Sequence, residues 1–351
     1  MIQSLKIAGA FVGVIVGAGF ASGRELLLMF VNFGVWGLLG AVVSAALFIF
    51  LGMALAGMGS RLQASSHKDV VYALCGRYLG TFVDLMITFF MFAVTVVMLA
   101  GGGALLKQQF GIPALFGSLA VTLIVVAIVC LDVQKVIGMI GAATPLLILT
   151  AVAVAVYGVA TRDLSFGELN QLASQQEAGA SHWLLGALLY VSYNVVAGVP
   201  FLSIMGGTAK SEKQAMWGGI VGGALLGLLM LVMSLGLLSR LDSVADLPMP
   251  MLSIATEISP VLGLVMAVVI FLMILNTAVG TLYSFSARLL PAGTRKFRIG
   301  SAAAGALAFL GSLVGFVSLV GQVYPLFGYL GFLLIGAVVV GWLRVGRLAQ
   351  A

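Results

Sequence analysis

The sequence predicts an all-α polytopic membrane protein of about ten transmembrane helices, built as two five-helix repeats of opposite orientation. Three observations predict it. The 351 residues are 62% hydrophobic and only 8% charged, with a mean hydropathy of +1.21; soluble domains carry about 25% charged residues. Apolar stretches near the 20 residues that a helix needs to cross a bilayer fill the chain, without the ten-residue alternation of an outer-membrane barrel. Two of these stretches, at matching places in the two halves, are interrupted by glycine or proline.

In chain order the spans are expected at 5–31, 36–59, 79–106, 113–131, 135–160, 182–209, 214–239, 259–286, 299–320 and 322–344. The first is too long for a signal peptide and has no small-residue cleavage site. The basic residues set the orientation. With the N-terminus in the cytoplasm, thirteen Lys and Arg, from Lys6 to Arg347, fall on the cytoplasmic side and only Lys107, Arg162 and Arg240 outside, with Arg24 inside the membrane. The net charge of +6 is thus an orientation signal rather than a nucleic-acid footprint. Both termini are expected in the cytoplasm, and the setting is a bacterial-type cytoplasmic (inner) membrane. Cys75, Cys130, His67 and His182 are too few and scattered for a disulfide framework or a metal site, and read as packing or loop residues.

Residues 1–160 form the first repeat, 161–181 an external loop, 182–344 the second repeat and 345–351 a cytoplasmic tail. The connections 60–78 and 240–258 are both 19 residues long and lie on opposite faces. An odd number of spans per repeat forces that inversion. Gly19 and Gly198, at the centres of the two interruptions, are 179 residues apart. A pair of interrupted spans at matching positions points to a transporter's binding site.

The first interruption is Gly17-Ala18-Gly19-Phe20-Ala21-Ser22-Gly23-Arg24-Glu25. Its S-x-x-E spacing predicts a capping box in which Ser22 caps the second half-helix and Glu25 reaches back to the Ser22 N–H. The second is Tyr193-Asn194-Val195-Val196-Ala197-Gly198-Val199-Pro200. There Gly198 is expected to end one half-helix in the left-handed conformation, and Pro200 to open the next.

The stretch Gly-Ala-Gly-Phe-Ala-Ser-Gly-Arg-Glu resembles the first-helix signature of YkvI-type membrane proteins, grouped as amino-acid permeases of the amino acid–polyamine–organocation superfamily. The resemblance covers all ten spans in layout and, at residue level, span 1 and more loosely spans 6 and 8. The usual form has Gln where this chain has Arg24. It implies a LeuT-like fold with discontinuous helices 1 and 6, and a symporter that moves a small amino-acid-like solute with an ion.

A solute at the interruptions needs donors for a carboxylate, which the half-helix start near Gly17, Ala18, Gly19, Ser22 and Gly23 could offer. It needs acceptors for an ammonium, expected from carbonyls between Tyr193 and Ala197, beside Asn194 and Gly198. It needs a side-chain pocket, expected from Phe20, Tyr190, Tyr193, Phe89 and Phe92. Glu25 has two readings, a helix cap or a site for a substrate amine or a proton, because an acidic group inside a bilayer is a functional candidate. Arg24 reads as an external gate, a partner of an acidic loop residue, or a direct ligand of an anionic group. Asp84 reads as part of an intracellular network with Lys6 or Arg288, or as a proton relay.

Span 8 carries Asn276, Thr277 and Thr281, with the two threonines on one helix face. By the resemblance, the Val14 and Gly17 carbonyls with Thr277 form a candidate sodium site; the alternative is threonines bonded back to their own helix. Proton-coupled relatives can use a lysine in span 5. Here span 5 has only Lys135, at its cytoplasmic end, so sodium is favoured over a proton. No cofactor is expected. The expected partners are the bilayer and the small solute, and the oligomeric state is not legible. A membrane sensor with the same fold and no net flux is the alternative to transport. An enzyme is excluded by the want of any H-E-x-x-H, G-x-S-x-G or paired His/Asp set, and a channel is disfavoured by the occluded site that broken helices imply.

Overall fold

The structure, a computed structural model, describes residues 2–131 and 144–348. Lys135, the start of the expected fifth span and the last three residues of the tail lie outside them. Every described element is helical or a turn.

The first expected span is three pieces: α1 (Ile2–Ile15), α2 (Ala18–Ser22) and α3 (Arg24–Met29). The Gly17 N–H turns back to the Ile15 carbonyl, 2.8 Å away, which ends α1. Gly23 sits at φ 83°, and turns the chain from α2 into α3; a side chain there would be strained and would press on Met251 and Leu237. The expected capping box does not form. The Ser22 hydroxyl donates to the Gly19 carbonyl at 3.0 Å and accepts from the Arg24 N–H at 3.3 Å. The Gly23 turn points the Glu25 side chain away from the Ser22 N–H and back over Gly19.

There follow α4 (Val35–Arg61), α5 (His67–Phe110), α6 (Ala114–Cys130), α7 (Thr144–Ala160) and a short helix α8 (Phe166–Ser174) in the expected external loop. α5 is too long to be one crossing. Gly76, at φ 69° and ψ −171°, breaks it into 67–75 and 77–110. Ser66 opens α5 with a capping box to Asp69, and Ser165 opens α8 with one to Glu168. These hydrogen bonds hold both carboxyls below the usual range.

The second half comprises α9 (Trp183–Gly207), α10 (Glu212–Leu238), α11 (Leu241–Val244), α12 (Pro250–Ile258), α13 (Pro260–Leu289), α14 (Arg295–Ser312) and α15 (Phe316–Leu348). Two expectations fail here. α9 is continuous through Gly198, and Pro200 lies inside it. The fold absorbs the proline at the loss of one bond, because Pro200 has no N–H to give the Val196 carbonyl. The division between the last two spans falls at 313–315 rather than after residue 320, because Gly315 turns at φ 99°.

Among the described residues, six helices are long and apolar enough to cross a membrane, and three more are apolar but shorter. α10 organises the packing through two glycine ridges. Gly218 and Gly222 face Ile7, Ala8 and Phe11 of α1, while Gly219 and Gly223 face Gly52 and Ile49 of α4. The i, i+4 spacing puts each pair on one stripe, so that the backbones approach closely.

Candidate functional site

A cavity of about 730 Å³ lies against α1 and its break. Its deep end holds Glu25, Tyr193 and Tyr324, exposed by 5%, 2% and 3%. From there it follows α1 from Gly17 back to Gly9 and α13 from Asn276 to Ser284, toward the exposed Phe201 of α9. Eight residues of helix cover about 12 Å, room for a solute of amino-acid size. Phe90, Met91, Val94 and Met98 of α5 give it an apolar wall.

Glu25 is the one carboxylate among the described residues of the wall. The Tyr193 hydroxyl donates to it at 3.0 Å. Tyr324 turns its hydroxyl toward the same carboxylate and stacks on Tyr193 with ring centroids 4.8 Å apart. Gly19 is needed beneath it: a Cβ there would run into the Glu25 carboxylate.

The cavity wall brings together Val14, Gly17, Glu25, Tyr193, Asn194, Asn276, Thr277 and Thr281. It does not include Ala18, Gly19, Phe20, Ser22 or Gly23, which are buried behind it because the short α2 turns its side chains into the bundle. Tyr190 stands behind Tyr193, edge-on at 5.4 Å, and packs on Phe30 and Phe48; its hydroxyl has no partner among the described residues. Gly198 faces Ile15 and Phe11. Phe89 is 57% exposed and Phe92 packs on Phe285, because helix phase gives the cavity to Phe90, Met91 and Val94 instead. Tyr324 was missed; it sits one residue before Pro325 in the last span, with no spacing to tie it to Glu25.

Around the break, the Thr277 hydroxyl is 3.6 Å from where a Cβ on Gly17 would stand. The Val14 carbonyl accepts no backbone bond across the break, while that of Gly17 accepts from Ala21 at 2.9 Å. Thr281 behaves otherwise: its hydroxyl bonds to the Thr277 carbonyl and to the Thr95 hydroxyl of α5, both at 2.8 Å.

Arg24 sits beyond the deep end and donates to the Ala245 and Leu247 carbonyls at 2.8 and 3.4 Å, closing that side against the 240–258 connection. Asp84 belongs to a cluster at the other end, with Arg288 at 2.7 Å, His67 at 2.8 Å and Lys68 at 3.4 Å; Lys6 takes no part. His67 is therefore more than a loop residue. His182, by contrast, caps α9 through Nδ1, and both cysteines are free.

The His67 Nε2 lies 2.8 Å from both Asp84 Oδ1 and Arg288 Nη2. One nitrogen cannot donate to the first and accept from the second at once. Burial lowers the His67 pKa, against the opposing pull of Asp84 and with the help of Arg288 and Lys68, so the clasp is built around the uncharged ring. A lowered folded pKa means that this stability is full above the ordinary histidine value of about 6.5 and is lost as pH falls through the folded value. Melting temperature should therefore fall between pH 8 and pH 5 more in the wild type than in His67→Gln. Parallel falls would refute the neutral-histidine clasp.

These features define a helical membrane protein of the LeuT-like fold, with a solute-sized cavity at a broken first helix. No family model matches the chain. It is 29% identical over 333 residues, 95% of its length and 94% of the relative's, to YkvI, an uncharacterized membrane protein of Bacillus subtilis (strain 168). Among solved structures it resembles MhsT in complex with L-phenylalanine, with a TM-score of 0.66 at 17% identity over 90% of this chain and 80% of that one. It also resembles a manganese transporter of Eremococcus coleocola, with a TM-score of 0.65 at 16% identity over 97% and 78%.

Proposed function

We propose that this chain is a secondary active transporter that moves a small, amine-bearing, amino-acid-like solute across a bacterial-type inner membrane by alternating access. The observation that carries the reading is the Glu25 carboxylate, held by Tyr193 at the closed end of a solute-sized cavity beside the helix break. Glu25 accepts the solute's ammonium, and the α5 residues Phe90, Met91 and Val94 take its apolar part. A coupling cation sits between the Val14 and Gly17 carbonyls and the Thr277 hydroxyl, with sodium favoured over a proton. The LeuT-like architecture of the neighbours supports this assignment. Between the phenylalanine of one neighbour and the manganese of the other, a solute with an organic ammonium suits the site better than the metal, because one carboxylate and neutral oxygens serve a monovalent group better than a divalent one.

Arg24 belongs to the outer closure and the Asp84–Arg288–His67 cluster to the inner one. Alternating access then means opening one while the other holds. With the basic face cytoplasmic, the described cavity runs toward the cytoplasm.

The test is uptake by the purified chain in liposomes, offered pooled labelled amino acids and amines under a sodium gradient and, separately, a pH gradient. Flux that follows sodium and falls at least tenfold in Thr277→Val is the expected result. Flux that follows only the pH gradient would move coupling to Glu25. Stabilisation by a solute with no flux under either gradient would overturn transport in favour of sensing.

A further inference from the structure

The charge of the cavity narrows the solute. Glu25 is the one charged side chain among the described residues that line it; Asn194, Asn276, Thr277 and the tyrosines are neutral. Arg24, the nearest arginine in sequence, lies outside the cavity: its Nη1 donates to the Ala245 and Leu247 carbonyls, and its buried Nε has no partner among the described residues. Among the described residues of the wall, a bound solute therefore meets one acidic side chain and no basic one.

The position of that charge matters as much as its sign. The Glu25 Cγ and Cδ lie 2.8 and 2.6 Å from where a Cβ on Gly19 would stand, with one carboxylate oxygen closer still. Gly19 is the second residue of α2. The chain thus lays its own carboxylate against the start of α2, at the buried end of the cavity. A second carboxylate brought there would face Glu25 among buried side chains, where like charges repel more strongly than in open water.

We infer that the solute is an organic monocation, an amine with an apolar body and no free carboxylate. This rests on the transporter reading for its setting, but on the cavity alone for its chemistry. The ammonium meets Glu25 beside the stacked rings of Tyr193 and Tyr324. The body lies along Phe90, Met91 and Val94. No group on the solute then has to find a positive partner in the wall.

The test uses matched triads on the purified full-length chain: phenethylamine, phenylalanine and 3-phenylpropanoate, and 3-methylbutylamine, leucine and 4-methylpentanoate. Each is measured by thermal shift and calorimetry, with and without sodium. At least one amine should bind at least tenfold more tightly than its amino acid, and the acids should not bind. Glu25→Gln should weaken amine binding at least tenfold; if that variant does not fold, the wild-type triads decide alone. The inference is overturned if an amino acid binds as tightly as its amine in either salt, if Glu25→Gln keeps amine affinity, or if neither amine binds. Amine binding without flux would remove the transport reading and leave this one standing. Flux of an amino acid without amine binding would do the reverse.

Discussion

Gly19→Val should abolish solute-induced thermal stabilisation and cost the folded chain about 3 kcal/mol. The cause is geometric. Glu25 occupies the space that any side chain at position 19 would need. Valine forces the carboxylate off its seat and away from the Tyr193 hydroxyl, 3.0 Å away in the wild type. A buried charge that loses its donor is among the most costly defects a fold can carry. The solute then also loses its acceptor. The control is Gly9→Ala: a Cβ at Gly9 meets nothing within 4 Å, so this change should leave stability nearly as it is. Solute stabilisation that survives in Gly19→Val would sink the placement of the site at Glu25.

The second large effect is expected far from the cavity. Gly223→Ala should destabilise the bundle by about 2 kcal/mol, within the usual range for overpacking, without changing which solute binds. A Cβ at Gly223 would fall 2.6 Å from the Ile49 Cα and N of α4 and from the Phe48 carbonyl carbon. All three are backbone atoms, so no rotamer change relieves the contact. The helices must part, and the Gly219–Gly52 contact one turn away must loosen with them. In a bilayer, helices associate through such close packing, because lipid is as apolar as the side chains it replaces. Unfolding of the purified chain in detergent measures this directly. A change within about 0.5 kcal/mol of the wild type would mean that α4 and α10 are not held through this ridge.

What was legible in the sequence was whatever rested on composition and covalent chemistry. Apolar runs located most of the described helices, though not the division at 313–315 between the last two, and the glycines of the first span located its break. Glu25 stood out because a carboxylate there has no solvent. What failed depended on direction and on distant contacts. The S-x-x-E spacing at Ser22 looked like a capping box, but the left-handed Gly23 re-aimed Glu25 into the cavity; the same spacing at Ser165–Glu168, where Gly167 stays helical, does cap α8. Gly198 and Pro200 looked like a break by analogy with the first span, yet a helix supported on both sides tolerates one missing bond. Phe89 was assigned by proximity, whereas 100° of rotation per residue sends it outward. Tyr324 reaches Glu25 only through the fold.

The outer part of the broken helix is fastened by Arg24 to two carbonyls, by the Gly179 N–H to the Leu28 carbonyl at 2.9 Å and by Asn32 to the Glu177 carbonyl at 2.7 Å. The inner part, α1, is tied across the bundle by two side-chain bonds at its tip, Gln3 to the Thr208 carbonyl and Ser4 to the Gln214 carbonyl. The two parts of one stretch of chain are thus held by different forces: polar bonds to the external loops outside, and inside chiefly the close fit of Ile7 and Phe11 on the Gly218 and Gly222 ridge of α10. Amide exchange in α3 should then rise when a loop bond is cut, and in α1 when the ridge is filled, as in Gly222→Ala.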